Sequence, residues 1–279
     1  MTEINGPGAP PTDTRGAAPA PRILRSLRVL GVRVDDIAPD DIVAHVVDTI
    51  RRGGRTYVVN ANAHLLTVAQ ENDWVQGFYD RANIAFCDGA GVQFVTWART
   101  RRRPYRTTPP EWVAEIARQT GPEGRTVFWL GGSEDAVTRA AAKFEQQTGM
   151  RSVGHRNGFF DHHAGSEDNR QLVEQINAAS PDLLLLNMGM PLQERWLHDH
   201  WHLLNVRAAI TAGALVDHAA GRVRRPPRWV ADIGLEWAVR LAIEPKRLWR
   251  RYLLGLPRFG GLVLRETLLG RSPRGSEKP

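Results

Sequence analysis

Short, wholly apolar runs alternate with helical patterns through the middle of the chain. RTYVVN (55–60), NIAFCD (83–88), RTVFWLGG (125–132), DLLLLNMG (182–189) and VRAAITAG (206–213) each end in Gly, Asn or Asp. Between them, EDAVTRAAAKFEQQTG (134–149) and DNRQLVEQINAAS (168–180) read as helices. A strand that is apolar at nearly every position is covered on both faces. Strands alternating with helices then build a doubly wound, Rossmann-like, mostly parallel α/β sheet. Ligands of such sheets sit beyond the carboxyl ends of the strands, in the crevice where strand order switches. Here those ends carry Asn60 and Asn62, Asp88, Gly131 and Gly132, and the stretch following Asn187.

After Gly221 the character changes to VRRPPRW (223–229) and then to the helical LEWAVRLAIEPKRLWRRY (235–252). Pro245 is expected to end one helix near Ile243 and to start another. In the second helix Arg247, Arg250 and Arg251 share a face, and a helix start bearing arginines suits a diphosphate. The alternative is a solvated basic face, against which stand the accompanying Trp229, Trp237, Trp249 and Tyr252.

Charge sharpens this division. From Arg222 onward there are 14 Lys+Arg against 5 Asp+Glu, a net of +9, while the whole chain is +7; residues 1–221 therefore hold a net of −2. The predicted organisation is a disordered Pro/Gly/Ala-rich leader (1–27), an α/β core (28–221), a basic amphipathic helical appendage (222–270) and a disordered tail (271–279). Basic residues mixed with Trp, Leu and Tyr suit an anionic membrane surface or a phosphorylated partner. The sequence has neither the apolar stretch of a secretory signal nor a run long enough to span a bilayer, so a cytoplasmic, non-spanning protein is expected. The lone Cys87 excludes an intrachain disulfide.

Three strand ends offer chemistry. In FCDGAGV (86–92), Asp88 is either a general base for a substrate hydroxyl or the cap of the following helix. In NMGMPLQERW (187–196), Gln193 has the donors and acceptor for a base or sugar, and Glu194 suits a helix start whatever its function. LGGSED (130–135) lacks both the GxGxxG spacing and a following Lys-Ser/Thr. It is no dinucleotide fingerprint, though its helix amides could hold a nucleotide. His198, His200 and His202 lack HExxH spacing and a cysteine partner, so packing or solvated histidines are expected there rather than a metal.

Taken in order, YVVNANAHLL (57–66), FCDGAGV, VFWLGGSED (127–135), NMGMPLQERW, AGALVDHAAGRVRRPPRW (212–229) and LEWAVRLAIEPKRLWRRY resemble the WecG/TagA/CpsF glycosyltransferases, from about residue 28 to about residue 260. The resemblance implies an inverting enzyme, peripheral at the inner face of the cell membrane. Such an enzyme moves a sugar (an N-acetylhexosamine, its uronate or a hexose) from a UDP-sugar to a polyprenyl-diphosphate-linked acceptor in envelope polysaccharide synthesis. No metal or cofactor is implied. Asp88 matches the family's proposed base, Asn62 its sugar-binding Asn, and Gln193 and Glu194 its rim pair. Arg240, Arg247 and Arg250 fall on the appendage arginines that close over the diphosphate. Asn60 stands where the family usually has Thr and is expected to bond the substrate. Self-association through the core is a further family precedent, and nucleic acid is not an expected partner.

One departure is larger. The family commonly shows Arg, two residues, then Gly-x-Asp, whereas RTTPPEW (106–112) keeps Arg106 but has Pro109 and Glu111 at the Gly and Asp positions. The departure bears on substrate identity and keeps a catalytically silent scaffold as a rival reading. A basic nucleic-acid-binding protein, the other rival, leaves Asp88 and the Gln193-Glu194 pair without a task.

Overall fold

The computed structural model describes residues 20–163, 165–223 and 236–269. Most of the predicted leader, most of the VRRPPRW stretch, the predicted tail and the Arg247 side chain lie outside the described set.

The described strands are β1 (Arg25–Val29), β2 (Val32–Asp36), β3 (Thr56–Ala61), β4 (Ile84–Cys87), β5 (Thr126–Gly131), β6 (Arg151–Arg156), β7 (Leu183–Asn187) and β8 (Ala208–Thr211). They form one sheet in the order β1-β2-β4-β3-β8-β7-β5-β6. β1 and β2 pair antiparallel as an edge hairpin, and every other pairing is parallel. The fold is thus the expected doubly wound α/β sheet.

Alternation within each central strand sends neighbouring side chains to opposite faces. Val59, Ala85, Phe128, Leu184 and Ala209 enter one core, and Val58, Phe86, Trp129, Leu185 and Ile210 enter the other. The first core is covered by α2 (Ala63–Val68), α3 (Trp74–Arg81), α4 (Ala90–Thr100), α7 (Glu167–Ala179) and α8 (Leu192–His200). The second is covered by α1 (Pro39–Arg52), α5 (Pro109–Thr120), α6 (Glu134–Thr148) and α9 (Leu215–Ala219). Leu183 to Leu186 are fully buried, and each such side chain contributes roughly 1.5–3 kcal/mol through removal from water.

The carboxyl-terminal helices are α10 (Glu236–Ile243), α11 (Pro245–Trp249) and α12 (Gly255–Leu268), so the break at Pro245 falls where its chemistry requires. A wider, π-type turn over Arg250–Leu254 joins α11 to α12, with the Gly255 N–H returning to the Arg250 carbonyl. Phe259 on α12 is buried in the first core, with Leu262 and Val263 packed against it. The basic helical appendage is therefore seated directly on the α/β layer.

Candidate active site at the carboxyl ends of the strands

A cleft of about 1030 Å³ opens over the ends of β3, β4, β5, β7 and β8 and is roofed by α10 to α12. Its lining includes Asn60, Asn62, Asp88, Arg106, Gly132 and Gln193 from the sheet side, with Trp237, Arg240, Arg251 and Tyr252 opposite.

Asp88 leaves β4 with its backbone N–H still bonded to the Ala61 carbonyl of β3, at 2.8 Å. Gly89 follows at φ +106°, a conformation that costs a glycine little, and starts α4 away from the carboxylate. Asp88 Oδ2 accepts a hydrogen bond from Asn60 Nδ2 at 3.0 Å. Asn60 is in turn fixed by the Thr211 hydroxyl, which donates to its Oδ1 at 2.8 Å, and by the Tyr79 hydroxyl, which donates to its carbonyl at 2.7 Å. With its oxygen occupied by Thr211, the Asn60 amide points its N–H group at the carboxylate. Asn60 thereby links β3 to the carboxylate at the end of β4. Burial, with the negative charges of Glu194 and Asp88 beside it, holds the Tyr79 hydroxyl well above its ordinary pKa.

Arg106 reaches the cleft because the segment after α4 returns to β4, where the Thr107 N–H donates to the Cys87 carbonyl at 3.1 Å. Glu111 then accepts from the Thr107 hydroxyl at 2.8 Å and from the Thr108 N–H at 3.2 Å, closing the start of α5. Pro109 and Pro110 occupy the first turn, where a missing N–H costs nothing. The Pro109/Glu111 departure is thus a helix-start solution that still presents Arg106 to the cleft.

Asn62 lines the cleft and caps α2, its Oδ1 accepting from the Leu65 N–H at 3.1 Å while Nδ2 lies 3.0 Å from the Met190 sulfur. Gly131 stands at φ +118°, and a Cβ there would lie 2.4 Å from the Asn187 carbonyl carbon. Only glycine lets β5 end this close to β7, and Gly132 then faces the cleft.

The rim pair sits deeper than its motif suggests. Gln193 and Glu194 are fully buried. Gln193 Nε2 donates to Glu194 Oε1 at 2.8 Å, and its Oε1 accepts from the Gly213 N–H at 3.1 Å, tying α8 to the turn after β8. Burial pushes the Glu194 carboxyl up to about 8, while Gln193 and the more distant Arg251 pull the other way. Glu194 Oε2 has no partner among the described residues.

In the roof, Arg240 and Arg251 line the cleft, whereas the Arg250 guanidinium lies 5.3 Å over its neighbour Trp249 and is absent from the lining. Two residues of the site, one lining the cleft and one buried behind it, escaped the sequence reading. His64 on α2 lines the cleft near Arg251, and burial first and that charge second lower its pKa. Thr211, which orients Asn60, is an unremarked strand residue in the sequence. His198 and His200 bond Asp199 and the Trp196 carbonyl, and they converge on no common point with His202 among the described residues.

Residues 27–273 match the Glycosyl transferase WecG/TagA/CpsF family. The chain belongs to this family. Among curated relatives, the N-acetylglucosaminyldiphosphoundecaprenol N-acetyl-beta-D-mannosaminyltransferase of Bacillus subtilis (strain 168) is 26% identical over 186 residues, 66% of this chain and 70% of that protein. The protein of the same name from Bacillus spizizenii (strain W23) is 25% identical over 233 residues, 83% and 88% of the two chains. The family assignment makes this chain a glycosyltransferase, and the cleft is its candidate active site.

Proposed function

We propose that the protein is an inverting glycosyltransferase that moves a sugar from a UDP-sugar to a polyprenyl-diphosphate-linked saccharide, in the synthesis of a cell-envelope polymer. The observation that carries the reading is Asp88, aimed by Asn60 and Thr211 into a cleft that also holds Arg106, Arg240 and Arg251. The relatives' names support the acceptor class, since both specify a diphosphoundecaprenol-linked sugar.

In this mechanism the acceptor hydroxyl lies against Asp88, which takes its proton as the oxygen bonds to the anomeric carbon. The bond from that carbon to the UDP oxygen breaks on the opposite face, UDP leaves with the electron pair, and the configuration inverts. Arg106, Arg240 and Arg251 stabilise the charge growing on the diphosphate, and planar guanidiniums match its oxygens in pairs. Asn62 and Gly132 contact the sugar and the nucleotide. Gln193 and Glu194 hold the turn at Gly213 that forms one wall. Acting at a lipid-linked acceptor requires a position on the membrane surface. No helix among the described residues is long and apolar enough to cross a bilayer, so surface docking serves this purpose.

UDP release across a panel of UDP-sugars, with and without a short-chain prenyl-diphosphate-GlcNAc acceptor and in EDTA, tests the proposal. Acceptor-dependent release with one donor is the expected result. Release from every donor at the same rate without acceptor contradicts it.

A further inference from the structure

α4 and α12 run side by side on the same layer. Gly91 of α4 lies against Phe259 of α12, and Arg99 pairs with Glu266 at 2.5 Å. Each helix packs one apolar face inward, through Val92 and Val95 on α4 and Phe259 on α12. Each also turns a second apolar face outward. Leu264 and Leu268 on α12, with Leu253 and Leu254 on the turn before it, are between 56% and 73% exposed, and Phe94 on α4 is 64% exposed.

Phe94 lies 5.8 Å from the ring of Trp97, and the guanidiniums of Arg101 and Arg103 sit 5.9 and 5.6 Å over that same ring. Arg101 ends α4 in the left-handed conformation at φ 57°, which swings Arg101, Arg102 and Arg103 into solvent. These three form no ion pair among the described residues. Gln93 Nε2 donates to the Pro104 carbonyl at 2.8 Å, pinning the loop to α4 before it enters the cleft at Arg106.

A basic run alone is a solvated surface, and scattered exposed leucines are ordinary. An exposed Phe94 beside a half-buried Trp97 that lies under two arginines, next to a helix with outward leucines, has the layering of a bilayer interface. Leucines would enter the acyl boundary, aromatics the headgroup level, and arginines the lipid phosphates. Charge selects the occupant, because RTRRRPYR (99–106) contains five arginines and no acid.

We propose that α4 and Arg101–Arg103 form a second half of the membrane-docking surface, outside the basic carboxyl-terminal segment, and that its occupant is an anionic lipid bilayer. The inference rests on the membrane-surface reading above. Its consequence is that the cleft mouth at Arg106 meets the bilayer between two contacts, where a lipid-linked diphosphate would arrive.

The test is co-sedimentation of the full chain with phosphatidylcholine vesicles, with and without phosphatidylglycerol, at low salt. At about fivefold per arginine near an anionic surface, the Arg101→Gln/Arg102→Gln/Arg103→Gln protein should bind the anionic vesicles about a hundredfold more weakly. Phe94→Ser should weaken binding about tenfold. Both variants should keep the wild-type melting curve and UDP release with a water-soluble short-chain acceptor. The vesicle result stands even if no donor gives UDP release, so it fails separately from the proposed reaction. Wild-type vesicle affinity in the triple variant overturns the proposal. So does equal binding to neutral vesicles, or a change confined to self-association or duplex DNA binding.

Discussion

On the floor of the cleft, polar groups are fixed by partners within the α/β layers. Thr211 holds Asn60, Asn60 holds Asp88, and Gln193 is gripped by Gly213 and Glu194. The roof is built differently. Its arginines are carried by helices seated through a few buried side chains, Leu248 and Phe259 foremost, and its outer face is apolar and exposed. A proton must be taken along one line within hydrogen-bond reach, which needs a rigid floor. Charge on a diphosphate is stabilised over a broader range of geometry, so arginines on more loosely seated helices suffice. In the proposed reaction the floor would set the geometry, and the roof would supply charge and the approach to the lipid.

The comparison breaks most visibly in the roof. Arg240→Ala/Arg251→Ala should lower kcat/KM for the UDP-sugar by about 10²–10³-fold, as expected for removing preorganised charge from a leaving group. The melting midpoint should move little, because neither guanidinium lies in a core. Steady-state kinetics and calorimetric melting check the two halves, and a large loss of stability would show the roof to be structural.

A smaller effect belongs to the positioning chain behind Asp88. Thr211→Val leaves the Asn60 oxygen unsatisfied and its amide free to rotate, which costs about 1–3 kcal/mol of stability. Turnover should drop about tenfold with KM for the donor little changed, which corresponds to about 1.4 kcal/mol at the transition state. Thr211→Ser, which restores the hydroxyl, should recover most of the turnover. Loss of stability without loss of turnover would remove Thr211 from the positioning chain.

Glu194 gives the most specific signal. Its folded carboxyl titrates near 8, against 4.5 as the ordinary value, so between these limits the folded state holds more protons than the unfolded. Stability must therefore fall as pH rises through that window, by at most about 1.4 kcal/mol per pH unit, and level off above it. Glu194→Gln should flatten this slope and leave the protein more stable than wild type above pH 8, as read by denaturant titration across pH. An unchanged slope would mean that Glu194 is ionised when folded.

Legibility in the sequence followed the same division. The five central strands were readable because burial on both faces makes them continuous apolar runs. β1 and β6 were not, since edge strands are half exposed and RSVGHR carries no periodic signal, and β2 was not, since the charged residues of VRVDD break its apolar run. Asp88 and Asn60 could be placed because strand ends are predictable. Their link through Thr211 could not, because it joins residues distant in sequence. Gln193 and Glu194 read as a rim pair since a motif gives no depth. The π-type turn beginning at Arg250 is the feature that helical spacing omits, and it is Arg251, not Arg250, that lines the cleft. The basic run at 99–106 disappeared into a body whose net charge of −2 averaged it away.

The most direct test of the account compares wild type with Asp88→Asn for acceptor-dependent UDP release, alongside UDP binding by titration calorimetry. The account predicts that turnover falls by about 10²–10⁴-fold, the usual worth of a positioned base, with UDP affinity retained. Turnover that survives the substitution would contradict the assignment of Asp88, and with it the claim that the floor of this cleft performs the chemistry.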